Sequence, residues 1–416
     1  MNKDHFSFPK ASRRDLLRAA MYGVGVSAAA APIPLFAQAA ATLAAQGKSD
    51  GKILVVLELS GGNDGLNTLV PYGDDAYYRH RPKLGIPAKD LRKIDSHFGF
   101  SGGMAGFERL YKNGKLAIVH GCGYENPSFS HFTSMAYWHT AAPNSGEEYG
   151  WVGRLADGMA PATPNFLVNI AERQSLAVRS REHVPVVFDD PVRFSQEQFY
   201  EEREFLRSIP DSGKIDNPAR RFLLETARSA KDSSALVREA WAKYHSPVDY
   251  GITGLDLPKV AALIEARMPA RLYYTSYRNN AFDTHVFQED VHKRLLTYAS
   301  DAVSAFLLDL ERIGRADDVV VMIFSEFGRR VPENVNLGTD HGTANLMFVA
   351  GNQVKGGHYG KVPSLTELAA GDNLIHTTDF RRVYATMITG WLGLRDTRQL
   401  LKGAFEPFEM FQQRAA

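Results

Sequence analysis

The chain has 416 residues, of which 44% are hydrophobic and 23% charged, with a formal net charge of +1. This balance is ordinary for a globular protein and carries no electrostatic footprint for nucleic acid or an anionic membrane, so neither is expected as a partner. Cys122 is the only cysteine, which excludes an intramolecular disulfide.

The first element in chain order is an address. Ser12-Arg13-Arg14-Asp15-Leu16-Leu17 has the paired arginines of a twin-arginine export signal, and a Gly- and Ala-rich apolar stretch follows from Met21 to Phe36. Ala37-Gln38-Ala39 offers a small-residue cleavage site. The competing reading is a membrane anchor, but the run is broken by Pro32 and Pro34 and falls short of the ~20 residues a spanning helix needs. Residues 1–39 therefore read as a signal peptide for the twin-arginine export machinery, and 40–416 as one mature domain. That domain is expected in the periplasm or outside the cell, unattached to membrane after cleavage.

Along the mature chain, short apolar runs alternate with amphipathic stretches. Ile53 to Leu59, Leu116 to Gly121, Leu272 to Ser276, Val319 to Phe324 and Leu346 to Ala350 read as parallel strands buried on both faces. Cys122 follows the second of these runs and reads as a buried thiol. Gln288 to Ile313 carries Val291, Leu295, Tyr298, Val303, Phe306, Leu307 and Leu310 at helical spacing. The pattern is α/β: a doubly wound, mostly parallel sheet flanked by helices. The segment 166–263 differs. It opens with strand-like Phe166-Leu167-Val168 and Pro185-Val186-Val187, then turns into a charged helical stretch from Gln196 to Tyr244. It reads as a helical insertion or cap, with a plain continuation of the fold as the alternative.

Three of the strands end in loops that carry acids and imidazoles. The first leads into Ser60-Gly61-Gly62-Asn63-Asp64-Gly65, the middle one into Phe282-Asp283-Thr284-His285, and a late one into Ser325-Glu326-Phe327-Gly328-Arg329 and then Asp340-His341. Ligands bind outside the carboxyl ends of strands in open α/β sheets. Asp64, Asp283, His285, Asp340 and His341 are thus candidate ligands for one or two divalent metal ions, of which zinc, manganese and calcium are the candidates. Each has a bland alternative: Asp64 as a turn former, Asp283 as a helix cap, His341 as a packed core histidine. Ser130, with Ser128 competing, sits at a helix start in Asn126-Pro127-Ser128-Phe129-Ser130-His131. Free N–H groups there favour an anionic tetrahedral group, and the hydroxyl is a candidate nucleophile or simply a cap. Further candidates for the same site are Glu326, His358, His131 and Arg329.

Taken together, these motifs resemble an exported bacterial family of unknown function, domain of unknown function 1501. That family is itself similar to the alkaline phosphatase and sulfatase superfamily. The resemblance implies an alkaline-phosphatase-like domain and a metal-dependent hydrolase acting on a small anionic phosphate or sulfate ester. By the same resemblance, Ser130 takes the nucleophile's place, and Asp64, Asp283, His285, Asp340 and His341 take the places of metal ligands. The chain departs from the superfamily in two respects. Only Thr284 separates Asp283 from His285, and the Cys-x-Pro-x-Arg pattern of sulfatases is missing. A non-catalytic binding or assembly protein on the same fold is the alternative.

Overall fold

Strict alternation of burial organises the molecule around its first strand. In β1 (Ile53–Leu59), Ile53, Val55, Leu57 and Leu59 pack into one core cluster, while Leu54 and Val56 pack into another on the opposite face. A strand buried on both sides in this way must lie between two helical layers. The computed structural model describes residues 51–161, 163–194 and 232–412. The twin-arginine motif and cleavage site lie outside the described residues, as does most of the charged stretch 196–244.

The remaining strands of the main sheet are β2 (Leu116–Gly123), β3 (Leu167–Ile170), β4 (Val186–Phe188), β5 (Leu272–Tyr277), β6 (Val319–Phe324), β7 (Asn345–Ala350), β8 (Gly357–Tyr359) and β9 (Thr378–Asp379). Their spatial order is β8-β2-β7-β6-β1-β5-β3-β4, with β9 also pairing with β2. β1 lies at the centre, parallel to β5 on one side and to β6 on the other. One face is covered by α5 (Gln288–Arg312) together with α1 (Ala105–Lys112) and α4 (Leu257–Glu265). The other is covered by α2 (His131–Thr140), α3 (Trp151–Met159) and α6 (Arg381–Ala385), with Trp138, Trp151 and Tyr384 buried between them. The α/β class is as expected, a doubly wound, mostly parallel sheet flanked by helices. Cys122 is fully buried in the second layer. Among the described residues no helix is long and apolar enough to cross a membrane.

Two expectations need correction. β7 is antiparallel to both β2 and β6; a buried apolar run reads the same in either direction, so periodicity does not report it. On α5, Val291 is exposed and His292, Leu296 and Ala299 face inward instead, because the buried polar residues Gln288 and His292 serve the loops above the sheet. β3 and β4 extend the main sheet in parallel register beside β5. These apolar strands complete the sheet edge, while most of the helical stretch on which the insertion or cap reading rests lies outside the described residues.

Candidate metal centre

The loops after β1, β5 and β6 leave the sheet side by side because their strands are neighbours. Gly61 lets the first loop touch the second: its φ is +119°, and a Cβ there would lie 2.5 Å from the backbone nitrogen of Asp283. Only glycine combines that conformation with that approach. The Phe282 N–H donates to the Ser60 carbonyl at 3.0 Å. The third loop is bound through Glu326, whose buried carboxylate accepts the Gly61 N–H at 2.9 and 3.1 Å. Arg329 ties all three together. Its guanidinium is buried and donates to the carbonyls of Gly61 (2.5 Å), Gly62 (2.5 Å), Phe282 (3.1 Å) and Thr339 (2.8 Å), and to Asp283 Oδ1 at 2.7 Å.

Three imidazoles face Asp283 from this scaffold. His285 Nε2 lies 3.0 Å and His341 Nε2 3.1 Å from Asp283 Oδ1, while His131 Nε2 lies 3.3 Å from Oδ2. Each ring's other nitrogen meets an acceptor behind it. His131 Nδ1 is 2.7 Å from Glu326, His341 Nδ1 is 2.7 Å from the Phe129 carbonyl, and His285 Nδ1 is 3.3 Å from Asp340 Oδ1. With the proton of each neutral ring on Nδ1, facing that acceptor, Nε2 is left as the lone pair, which is the tautomer a metal ligand needs. Three lone pairs then converge on a carboxylate, and two of them, on His285 and His341, stand only 2.9 Å apart. His131 Nε2 is buried and has no hydrogen-bond partner. Such a set repels itself unless a cation sits within it. The ligand atoms of His131, Asp283 and His341 lie within 4.8 Å of one another, and this is the only such group among the described residues.

The electrostatics agree. Burial alone would raise the Asp283 carboxyl, but the hydrogen bond from Arg329, and one from His341 when that ring carries its proton on Nε2, bring it down to about 2. The carboxylate is therefore charged at any physiological pH. The hydrogen bond to Glu326 lifts the His131 imidazole above its ordinary value, against the effect of burial. In the absence of a cation, a proton is favoured where the lone pairs meet.

The positions read from sequence divide accordingly. Asp283, His285 and His341 meet at the centre, and His131 joins them from the first turn of α2. Asp340 is adjacent but stands behind His285, holding Nδ1 and accepting from Asn334 at 3.1 Å. Glu326 likewise holds His131 from behind, and Arg329 holds Asp283 and the loop carbonyls. Asp64 does not reach the centre. It is fully buried, caps the short helix Gly65–Thr68, and spends its oxygens on Arg81 (2.6 Å), Gln288 (2.5 Å) and the Leu66 N–H (3.2 Å). Burial would raise its pKa, but the Arg81 charge keeps it below the usual carboxylate range. His358 is also elsewhere, on edge strand β8, 2.7 Å from His120 and 3.2 Å from Asp95.

Ser130 caps α2, its Oγ accepting from the Thr133 N–H at 3.5 Å. Both its chain neighbours touch the centre, Phe129 through its carbonyl and His131 through its ring. Ser128 is spent on the turn, with its Oγ accepting the Ser130 N–H at 3.2 Å. Sequence reasoning missed Arg81, Gln288 and Asn334. Arg81 follows a short helix with nothing to mark it, and Gln288 occupies the place where a helix start ordinarily shows only polarity.

These features define an α/β protein with a histidine- and carboxylate-rich centre at the carboxyl ends of its central strands. Residues 265–403 match the sequence profile of a family described as a protein of unknown function, DUF1501. The matched stretch includes Asp283, His285, Asp340 and His341. No curated protein matches the chain in sequence. Solved structures that overlap with it include the PsFucS1 sulfatase from Pseudoalteromonas sp., at 10% identity, covering 91% of this chain and 75% of that one, with a TM-score of 0.38. The lipoteichoic acid synthase LtaP from Listeria monocytogenes overlaps at 12% identity, 91% and 78% coverage and a TM-score of 0.37. The zinc-complexed C-terminal periplasmic domain of EcEptC from Escherichia coli does so at 9% identity, 73% and 74% coverage and a TM-score of 0.33. These overlaps are loose.

Proposed function

We propose that the protein is a metal-dependent hydrolase of anionic esters, phosphate or sulfate, built around one divalent ion. The observation that supports this most directly is the convergence of three imidazole lone pairs on Asp283, each ring held by an acceptor at Nδ1. His131, Asp283 and His341, with His285 beside them, would hold the ion. Nitrogen-rich ligation with one carboxylate suits zinc or manganese better than calcium, which takes six to eight oxygens. A divalent ion there supplies a Lewis acid that polarises the ester oxygen.

The chain's own groups supply the rest. Ser130, at the start of a ten-residue helix, offers a hydroxyl beside free backbone N–H groups that favour an anion. In the proposed reaction its Oγ attacks the phosphorus or sulfur, the alcohol leaves with a proton, and water hydrolyses the seryl ester. Glu326, Asp340 and the Phe129 carbonyl keep the imidazoles in place, so the donor set is preorganised.

The second reading, a non-catalytic binding protein with a structural ion, is favoured by the ligand count. If His285 is included, four protein donors fill a tetrahedral shell and leave no open position. Elemental mass spectrometry of the purified protein, followed by turnover of 4-nitrophenyl phosphate and sulfate, separates the two. One equivalent of metal and turnover, both lost in Asp283→Ala, would support the hydrolase. One equivalent with no turnover of any ester would favour the structural ion. Absence of metal binding would sink both.

A further inference from the structure

The loops that hold the imidazoles also carry large apolar side chains that face solvent. Phe129 and Phe132 flank Ser130 and His131, and Phe132 is 88% exposed. Val286 and Phe287 follow His285, and Phe287 is 71% exposed. Val335, in the loop leading to Asp340 and His341, is 96% exposed. The segments are joined by their backbones: the Phe287 N–H donates to the Asn336 carbonyl at 3.0 Å, and the Phe129 carbonyl holds His341 at 2.7 Å. The His131 and His341 rings lie 4.5 Å apart. The five exposed side chains thus sit on the segments that carry His131, His285 and His341, and we read them as one apolar collar beside the polar centre.

Exposed apolar residues scattered singly need no explanation, but a cluster at a site does. Phe287 adds a second, independent observation. Its φ of 45° places a bulky side chain in the left-handed region, where glycine or asparagine is the unstrained choice. Such strain persists where the surroundings fix it and concentrates at functional sites. Nothing in the packing of α5 uses the ring.

We infer that the substrate of this centre is amphiphilic: an anionic ester whose alcohol part is an alkyl or aryl group that lies against Phe129, Phe132, Val286, Phe287 and Val335. This rests on the proposed reading of the centre as an anionic-ester site. The polar end meets the imidazoles and the α2 N-terminus, and the apolar end covers the collar. A fully water-soluble ester, such as a sugar phosphate, would leave the collar wet and gain nothing from it.

The test uses the zinc-loaded mature chain and n-alkyl phosphonates from ethyl to decyl, which cannot be hydrolysed, with affinity read by calorimetry. The expected result is a dissociation constant that falls about twofold to fourfold per added methylene, the larger value corresponding to full burial. In Phe132→Ser and Phe287→Asn the slope should flatten while zinc content stays at the wild-type value. Ethyl phosphonate binding with no dependence on chain length would overturn the inference alone. A slope that the two variants leave unchanged would also overturn it, because the apolar contact would lie elsewhere. If no phosphonate binds at any length, the anionic-ester reading fails and takes the inference with it. A slope in binding without turnover of the matching alkyl phosphates would sink only the hydrolase.

Discussion

Asp64 and Asp283 leave the ends of neighbouring parallel strands, β1 and β5, and in sequence they look alike. In the folded chain they have opposite roles. Asp64 is sealed from solvent, with Arg81 and Gln288 both donating to Oδ2 and the Leu66 N–H donating to Oδ1. Asp283 is partly open to solvent and, besides Arg329 at 2.7 Å, faces three imidazole nitrogens. Both carboxylates have a counter-ion, but only Asp283 also stands among side chains that can ligate a metal. What tells them apart is therefore the nitrogen donors around one of them and the amide and backbone donors around the other.

The largest effect should come from the closed side. Asp64→Ala leaves Arg81 buried and unpaired, and stability measured by urea unfolding should fall by about 3–5 kcal/mol. A loss below about 1 kcal/mol would erase the contrast. The imidazole beside that loop gives the next effect. His292, whose Nε2 lies 2.8 Å from Asn63 Oδ1, is held down to about 4 from 6.5 by burial. Between those values the unfolded chain binds the proton and the folded chain does not. This contribution is therefore intact above pH 6.5 and is lost as pH falls towards 4, amounting to about 3 kcal/mol in all. His292→Gln should remove that acid-sensitive limb from a stability–pH profile.

The open side should respond to metal. Zinc at a hundred times its dissociation constant should add about 2.7 kcal/mol to the unfolding free energy. That gain should vanish in Asp283→Ala but persist in Asp64→Ala under conditions where the variant remains folded. Loss of the zinc effect in both would mean that the two carboxylates act as one unit. The smallest effect is a gain. Phe287→Asn relieves a left-handed backbone and removes little buried area, so it should stabilise the protein by about 1 kcal/mol in the same unfolding assay. Stability gained together with apolar affinity lost would place the strain in the service of the site.

Much of this was legible in advance. The five apolar runs are the strands of the sheet's middle, and Asp283, His285 and His341 were singled out from the loops that follow them. Direction was not legible, because β7 buries both faces whichever way it runs. Nor was the division of labour among the acids, which depends on partners far away in sequence. Arg81 neutralises Asp64 only after the fold has formed. Asp340 sits beside His341 in sequence but serves His285 in space. His131 is a further candidate in sequence, but its pairing with Glu326, 195 positions away, is not legible there.

Arg329 has a consequence for timing. One guanidinium joins carbonyls at positions 61, 62, 282 and 339, so its contacts reach 268 residues back along the chain. A nascent chain that has not yet reached Arg329 lacks the one side chain that joins all three loops, and non-local closures of this kind carry a loop-closure cost that delays them in folding. The proposed ligands would therefore come together only when synthesis is nearly complete. If the centre takes the proposed ion, metal uptake would report that the domain has folded.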